Sequence, residues 1–247
     1  MVYYKELFSR IKDFLRYNPH ELTGIAVAVL ITGFIFSFRD WGADPNQLDA
    51  VIGLRNLFLV FIIAGISFFF RTACQKIYAL NEGYKAEFKP WWLGMGISLV
   101  LGLITQGYFP TILIGAMSVA FMVRQRLGEF RHAFSYWHNA IIAYWGILGN
   151  LIMALLFSIG AYFMPENYFF SKGVILNLIM AACSLLPVPQ LDGITIFFGS
   201  RKLYVAGLLL LALAAVLLLT KTGIGLLIAL IFGILYALVY ILIGSEK

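Results

Sequence analysis

The densest chemistry in the chain lies in Ser184-Leu185-Leu186-Pro187-Val188-Pro189-Gln190-Leu191-Asp192-Gly193. Two prolines end an apolar helix there. Asp192 then places a carboxylate near the membrane, where ionisable groups are costly and are functional candidates for that reason. The plainer reading is a helix-ending turn in which Asp192 caps the helix that follows. Other metal-capable side chains are few: His20, His132 and His138, with Cys74 and Cys183. His20-Glu21 opens like an HExxH zinc motif, but Gly24 stands where the second imidazole is required, so a helix-start role is more economical. His132 and His138 are six residues apart and fall on different faces of a helix. A zinc site built from His138, Cys74, Cys183 and Asp192 is conceivable, because soft ligands suit zinc, although nothing in the local spacing requires it.

Leu186 to Gly193 is very similar to the Pro-x-Pro-x-Leu-Asp-Gly element of the site-2 protease family of intramembrane zinc metalloproteases, particularly its small archaeal-type members. The family's Asn before the first proline corresponds to Ser184. Gly146-Ile147-Leu148-Gly149-Asn150 resembles a second family motif, Gly-Pro-x-x-Asn, with Ile147 in place of proline. Gly83 to Phe88 resembles the segment after the family's HExxH helix, and a hairpin after Trp91 matches its membrane-associated strands. The resemblance runs from the first apolar helix to about Ser200. It implies a helical membrane fold with a groove for a substrate helix, and it makes Asp192, Asn150, Gly146, Ser184, Pro187 and Pro189 residues of a former metal site or groove.

Counting back from Gly83 places the HExxH equivalent at Arg71-Thr72-Ala73-Cys74-Gln75. HExxH works because two imidazoles one helical turn apart hold zinc while the Glu takes a proton from metal-bound water. Arg71 has no lone pair to give a metal, Thr72 is no general base, and Gln75 is a poor ligand. Of the constellation only Asp192 remains. If the fold holds, the Arg71 guanidinium sits where zinc would sit and neutralises Asp192; the alternative has Arg71 snorkelling to the interface and Asp192 capping a helix. No Walker-type loop, Gly-x-Ser-x-Gly elbow or Rossmann fingerprint is present.

These side chains need a membrane to position them. The chain is 62% hydrophobic and 12% charged with a mean hydropathy of +0.90, far more apolar than a soluble domain. Apolar runs occur at Leu22–Phe38, Val51–Phe70, Trp91–Ile104 (short), Ala140–Met164, Val174–Leu186, Leu203–Thr220 and Gly223–Ile243, giving about six transmembrane helices. Tyr4, Leu7, Phe8, Ile11, Phe14 and Leu15 recur at helical spacing, which predicts an interfacial amphipathic helix in residues 1–20. Gly107-Tyr108-Phe109-Pro110 breaks the helix, and Thr111 to Gly115 reads as part of a short hairpin between Gln106 and Val123. The fold class expected is therefore an all-α polytopic membrane protein with one short β-hairpin. It forms a single domain over 1–247, with a core at 21–200 and a C-terminal helical hairpin at 201–247.

The net charge of +6 sits between apolar runs. This excludes a nucleic-acid-binding face and fits loops read by the positive-inside rule. Arg71, Lys76, Lys85 and Lys89, then Arg124, Arg126 and Arg131, then Arg201 and Lys202 all fall on one side if Trp91 to Val123 enters and returns. That side, with both termini, is expected to be cytoplasmic. Two cysteines between them make a disulfide framework unlikely to be the basis of the fold.

The expectation is a non-catalytic relative of the proteases that binds or scaffolds a membrane-protein partner within the lipid bilayer and carries no cofactor. Pairing along the strand edge near Thr111 to Gly115 is one route for such binding. The rivals are an active zinc metalloprotease with non-standard ligands, a structural subunit of a membrane complex, and a transporter.

Overall fold

Breaks in the apolar runs set the element boundaries in the computed structural model, which describes residues 4–42, 49–121 and 135–245. In chain order the elements are α1 (Tyr4–Phe14), α2 (Pro19–Ser37), α3 (Ala50–Asn81), β1 (Tyr84–Pro90), α4 (Trp92–Ile104), β2 (Gly115–Phe121), α5 (Tyr136–Phe163), α6 (Tyr168–Leu185), α7 (Asp192–Gly199), α8 (Arg201–Leu219) and α9 (Gly223–Ser245). Five helices, α2, α3, α5, α6 and α8, are long and apolar enough to cross a membrane. The chain therefore reads as an integral membrane protein. α4 and the Gly223–Gly233 stretch of α9 are apolar but shorter, so the described residues show five candidate spans. His132 and the basic loop at Arg124, Arg126 and Arg131 lie outside the described residues.

Burial follows a membrane logic. On α3 the stripe Leu54, Phe58, Ile62, Ile66 and Phe69 is exposed, while Val60, Ile63, Ala64 and Phe68 are fully buried. The outer stripe is apolar because its solvent is hydrocarbon rather than water. α5 is the central helix: it packs on α3, α6, α7 and α8, and 72% of its most apolar window is buried. The same figure is 11% for α8, which makes that helix a lipid-facing wall. Small residues allow the close crossings, as is usual between membrane helices. A Cβ added at Gly173 on α6 would lie 2.5 Å from the Phe157 ring on α5, and one at Gly33 on α2 would lie 2.1 Å from the Phe61 ring on α3.

α1 lies within the segment expected to be amphipathic. Phe8 and Phe14 face outward, and the Arg10 guanidinium donates to the Leu80 carbonyl at 3.2 Å, docking α1 on the end of α3. The end of α3 itself departs from the sequence expectation. The helix does not stop at Phe70 but continues to Asn81. Arg71 and Lys76 are therefore buried helical residues at 3% exposure each, not loop cations. Charged side chains read as a loop signal because their buried partners lie far away in sequence.

The sheet also differs. Its two strands are β1 and β2, paired antiparallel with Tyr84 opposite Phe121 and Pro90 opposite Gly115. The helix α4 is inserted between them, so this is not a local hairpin after Trp91. Thr111 to Ile114 are not part of the strand. Their amides turn elsewhere: Ile112 donates to Cys183 Sγ at 3.4 Å and Leu113 to Ser98 Oγ at 2.9 Å. The strand starts at Gly115, whose φ is +133°. An added Cβ there would lie 2.1 Å from the Lys89 carbonyl oxygen, so only glycine fits this start.

A loop-side tie completes the frame at the far end of the spans. Asp40 Oδ2 accepts from Tyr168 Oη at 2.6 Å and Lys172 Nζ at 2.5 Å, and Asn56 Nδ2 holds the Asp40 carbonyl at 2.8 Å. Gly173→Leu tests the packing of α5 on α6. Forcing a side chain against Phe157 should lower stability in detergent by about 1–3 kcal/mol, read as a reduced unfolding midpoint, whereas an unchanged midpoint would contradict the described crossing.

Candidate functional site

The Leu191-Asp192-Gly193 turn is built so that the carboxylate points into the protein. α6 ends at Leu185, and the two prolines that follow are exposed. Gln190 then takes a left-handed conformation at φ +68°, reversing the chain. Leu191 is buried as an anchor. A Cβ on Gly193 would lie 2.3 Å from the Leu185 carbonyl oxygen, so the first turn of α7 can rest on the end of α6 only as glycine. Asp192 is the first residue of α7, with Leu191 at the cap position and no side-chain cap bond. The capping role considered for Asp192 is therefore not what its carboxylate does.

That carboxylate is 1% exposed and meets Arg71 instead. Arg71 Nη2 lies 2.5 Å from Asp192 Oδ2, both side chains being almost wholly buried. Gln75 Nε2 donates to the same oxygen at 3.0 Å, and the Met117 amide of β2 donates to Oδ1 at 3.3 Å. Arg71 Nη1 donates to Ser184 Oγ at 2.6 Å, and Ser184 passes its own proton to the Met180 carbonyl at 2.6 Å. Gln75 also reaches the Ala143 carbonyl at 3.3 Å. The cluster thus joins α3, α5, α6, α7 and β2 through a charge-assisted network in which the carboxylate receives three donors.

The glycines of the second motif explain how α5 comes so close. A Cβ at Gly146 would lie 2.5 Å from the Gln75 side chain, and one at Gly149 would lie 3.2 Å from Arg71 Cα. Asn150 follows on the same face as Gly146. It is fully buried, and neither its Oδ1 nor its Nδ2 has a hydrogen-bond partner among the described residues. Such orphaned polar atoms are rare in native interiors.

A second buried ion pair lies further along α3, and the sequence reading did not pair its residues. Lys76 Nζ lies 2.9 Å from Glu21 Oε2 and 2.9 Å from the Arg16 carbonyl, and it stands over the Tyr17 ring. Glu21 Oε2 accepts the Asn18 amide at 2.9 Å, and Glu21 Oε1 accepts the Phe88 amide of β1 at 2.6 Å. Phe88 and Met117 are opposite one another in the sheet register. Their amides both point outward, and each is taken by a carboxylate that an α3 cation holds in place. The sheet is therefore clamped at both edges by side chains of its own chain. A Glu in a helix first turn with an unmatched Lys in an apolar run was the available signal.

The remaining expected site residues are distributed around this centre. Thr72 Oγ1 bonds back to the Phe68 carbonyl at 2.9 Å and lies 3.1 Å from Tyr17 Oη, a phenol whose pKa burial raises. Cys74 lies beside Gly149, Cys183 accepts the Ile112 amide, and both are free thiols. His138 lies at the start of α5, with Nε2 3.7 Å from Glu82 Oε2. Among the described residues no three His, Cys, Asp or Glu side chains converge as a metal site. The set of His138, Cys74, Cys183 and Asp192 is thus not assembled. The residues around Asp192 do not fit zinc either. Zinc needs lone pairs from several sides, whereas a guanidinium offers only protons and the Gln75 amide nitrogen is turned to the carboxylate.

Breaking a buried pair leaves an uncompensated charge, so Arg71→Ala and Asp192→Ala should each cost on the order of 3–5 kcal/mol. The apolar double variant Arg71→Met/Asp192→Leu should recover much of that loss. Unfolding in detergent measures all three, and additive losses in the double variant would contradict a coupled pair. Gln190→Gly should hold or raise the midpoint by up to about 1 kcal/mol, because it relieves a left-handed conformation; a clear loss would show that the Gln190 side chain has a role of its own.

No family model matches the chain, and no solved structure matches it. A protein of Methanocaldococcus jannaschii named "Putative zinc metalloprotease" is 27% identical over 183 residues, covering 72% of this chain and 83% of that protein. The likeness is therefore to a protein named as a metalloprotease.

Proposed function

We propose that the protein is a non-catalytic relative of the site-2 proteases, a membrane scaffold that binds a partner without cutting it. The observation that carries this reading is the Arg71–Asp192 pair, which puts a fixed cation and its hydrogen bonds where a catalytic zinc would need ligands. The likeness to a named metalloprotease homologue supports the ancestry. The alternative, an active zinc metalloprotease with displaced ligands, draws on the same likeness, while the described residues bring no three metal-ligating side chains together.

Binding draws on what is left of the groove. Edge pairing at Ile112 and Leu113 is closed, because both amides are already used. The outward amides of Phe88 and Met117 are used as well. Asn150 differs: its amide has both a donor and an acceptor to give to the main chain of a bound membrane segment. In this reading a partner helix parts the helices beside α5 to reach Asn150, which is fully buried in the free chain, while the Arg71–Asp192 pair keeps α3 and α7 joined.

Two experiments test the reading. The purified native protein should contain no stoichiometric zinc. The triple variant Arg71→His/Thr72→Glu/Gln75→His, which restores the two-imidazole spacing and its Glu, should acquire zinc dependent on Asp192. Stoichiometric zinc in the native chain that disappears on Asp192→Ala would contradict the proposal. For binding, Asn150→Leu should raise stability by about 1–3 kcal/mol, because it removes an unsatisfied buried amide. The same change should weaken co-purification of a membrane partner in mild detergent, and undiminished co-purification would remove Asn150 from the binding role.

A further inference from the structure

An apolar cleft of about 320 Å³ opens between α5, α8 and α9, away from the ion-pair centre. Its walls include Leu151 and Leu155 of α5, Leu213 and Leu217 of α8, and Phe232 and Gly233 of α9, with no charged or hydroxyl-bearing side chain among its lining residues. Leu218 is shared with a smaller pocket under the α8–α9 turn, whose lining brings in Ser171, Thr222 and Lys221. The two spaces adjoin at Leu218, so the polar residues of the turn lie next to one end of the cleft.

Among the described residues, the turn brings polar side chains next to the cleft. Lys221 is exposed and adopts a left-handed conformation at φ +50°, a geometry that costs a non-glycine residue energy and is found where a site requires it. Its ammonium donates to Ser171 Oγ at 3.3 Å. Among the described residues it has no carboxylate partner. The other interfacial lysine at this end, Lys172, is by contrast already paired with Asp40.

Charge and shape then select the occupant. Within a bilayer an apolar surface gains nothing by leaving water, so an occupant is chosen by packing and by its polar end. A cation in the pocket beside one end of an apolar cleft complements an amphiphile with an anionic head. A partner helix is about 10–12 Å across and would have to part α8 from α9. These two helices converge at the turn, where a Cβ added to Gly225 would lie 2.6 Å from the Leu217 carbonyl oxygen. A single hydrocarbon chain needs no such separation. We propose that the cleft holds one acyl chain of an anionic phospholipid, with Lys221 meeting the phosphate and the Ser171 and Thr222 hydroxyls beside it. The site is independent of the Arg71–Asp192 centre.

The test is native mass spectrometry of the full chain, reconstituted in vesicles of equal phosphatidylglycerol and phosphatidylcholine and then released in mild detergent. The native protein should retain one phosphatidylglycerol in preference to phosphatidylcholine. At Gly233 an added Cβ has no neighbour nearer than Leu155 Cδ2 at 4.0 Å, so Gly233→Leu can fill the cleft without a clash at its root. It should cut retention by about tenfold while leaving the unfolding midpoint no lower, since the leucine takes the space into which the chain would pack. Leu213→Trp, filling from α8, should do the same if Gly233→Leu fails to fold. Lys221→Gln should keep a lipid but lose the preference for the anionic head. Equal retention of both lipids by the native protein, undiminished retention in the filled variants, or a polypeptide cross-linked to Leu213 in place of lipid would each overturn the proposal.

Discussion

A guanidinium buried beside a carboxylate is the constraint on which the middle of this protein depends. Taking either charge out of water alone would cost several kcal/mol, so Arg71 and Asp192 tolerate their burial only together. The pair ties α3 to the end of α6 and the start of α7, and through Met117 it reaches the sheet. Everything local follows from that demand. Gln190 reverses the chain to turn Asp192 inward, Gly193 lets α7 settle against α6, and Gly146 and Gly149 bring α5 within contact of the helix that carries Arg71. In a metal site the ion would be the hub. Here the hub is a side chain, whose guanidinium donates to both Asp192 and Ser184.

The second pair, Lys76 with Glu21, repeats the device on the other strand. In each case a cation of α3 fixes a carboxylate, and the carboxylate's second oxygen closes an outward amide of the sheet. A two-stranded sheet has two open edges, and open edges invite pairing with other chains. Clamping one outward amide on each edge, at the Phe88–Met117 position, narrows that opportunity and holds the sheet to the helices. The same physics argues against strand addition as the means by which this chain holds a partner, and it turns attention to the unsatisfied amide of Asn150.

Much of this centre was legible from residue types. The Pro-x-Pro-x-Leu-Asp-Gly turn, the loss of both imidazoles and the pairing of Arg71 with Asp192 could all be reasoned from the chain, because ligand chemistry depends on side-chain identity. What could not be read was anything set by distant partners. Lys76 looked like a loop cation because Glu21 lies 55 positions away. Thr111 to Ile114 looked like a strand because β-branched residues favour one, yet Cys183 and Ser98 captured its amides and moved the pairing to Gly115–Phe121. The length of α3 was underestimated for a related reason: polar residues end a predicted span, whereas paired polar residues continue it. The helices themselves were visible from hydropathy, with boundaries that moved by up to a few turns.

The account's central claim is that an internal ion pair, not a metal, organises the centre. An experimentally determined density map of the protein in lipid tests it most directly. The account requires continuous side-chain density from Arg71 to Asp192, with Ser184 and Gln75 in contact with the same pair. A compact tetrahedral ion bound to Asp192, with the Arg71 guanidinium turned away from it, would contradict the account.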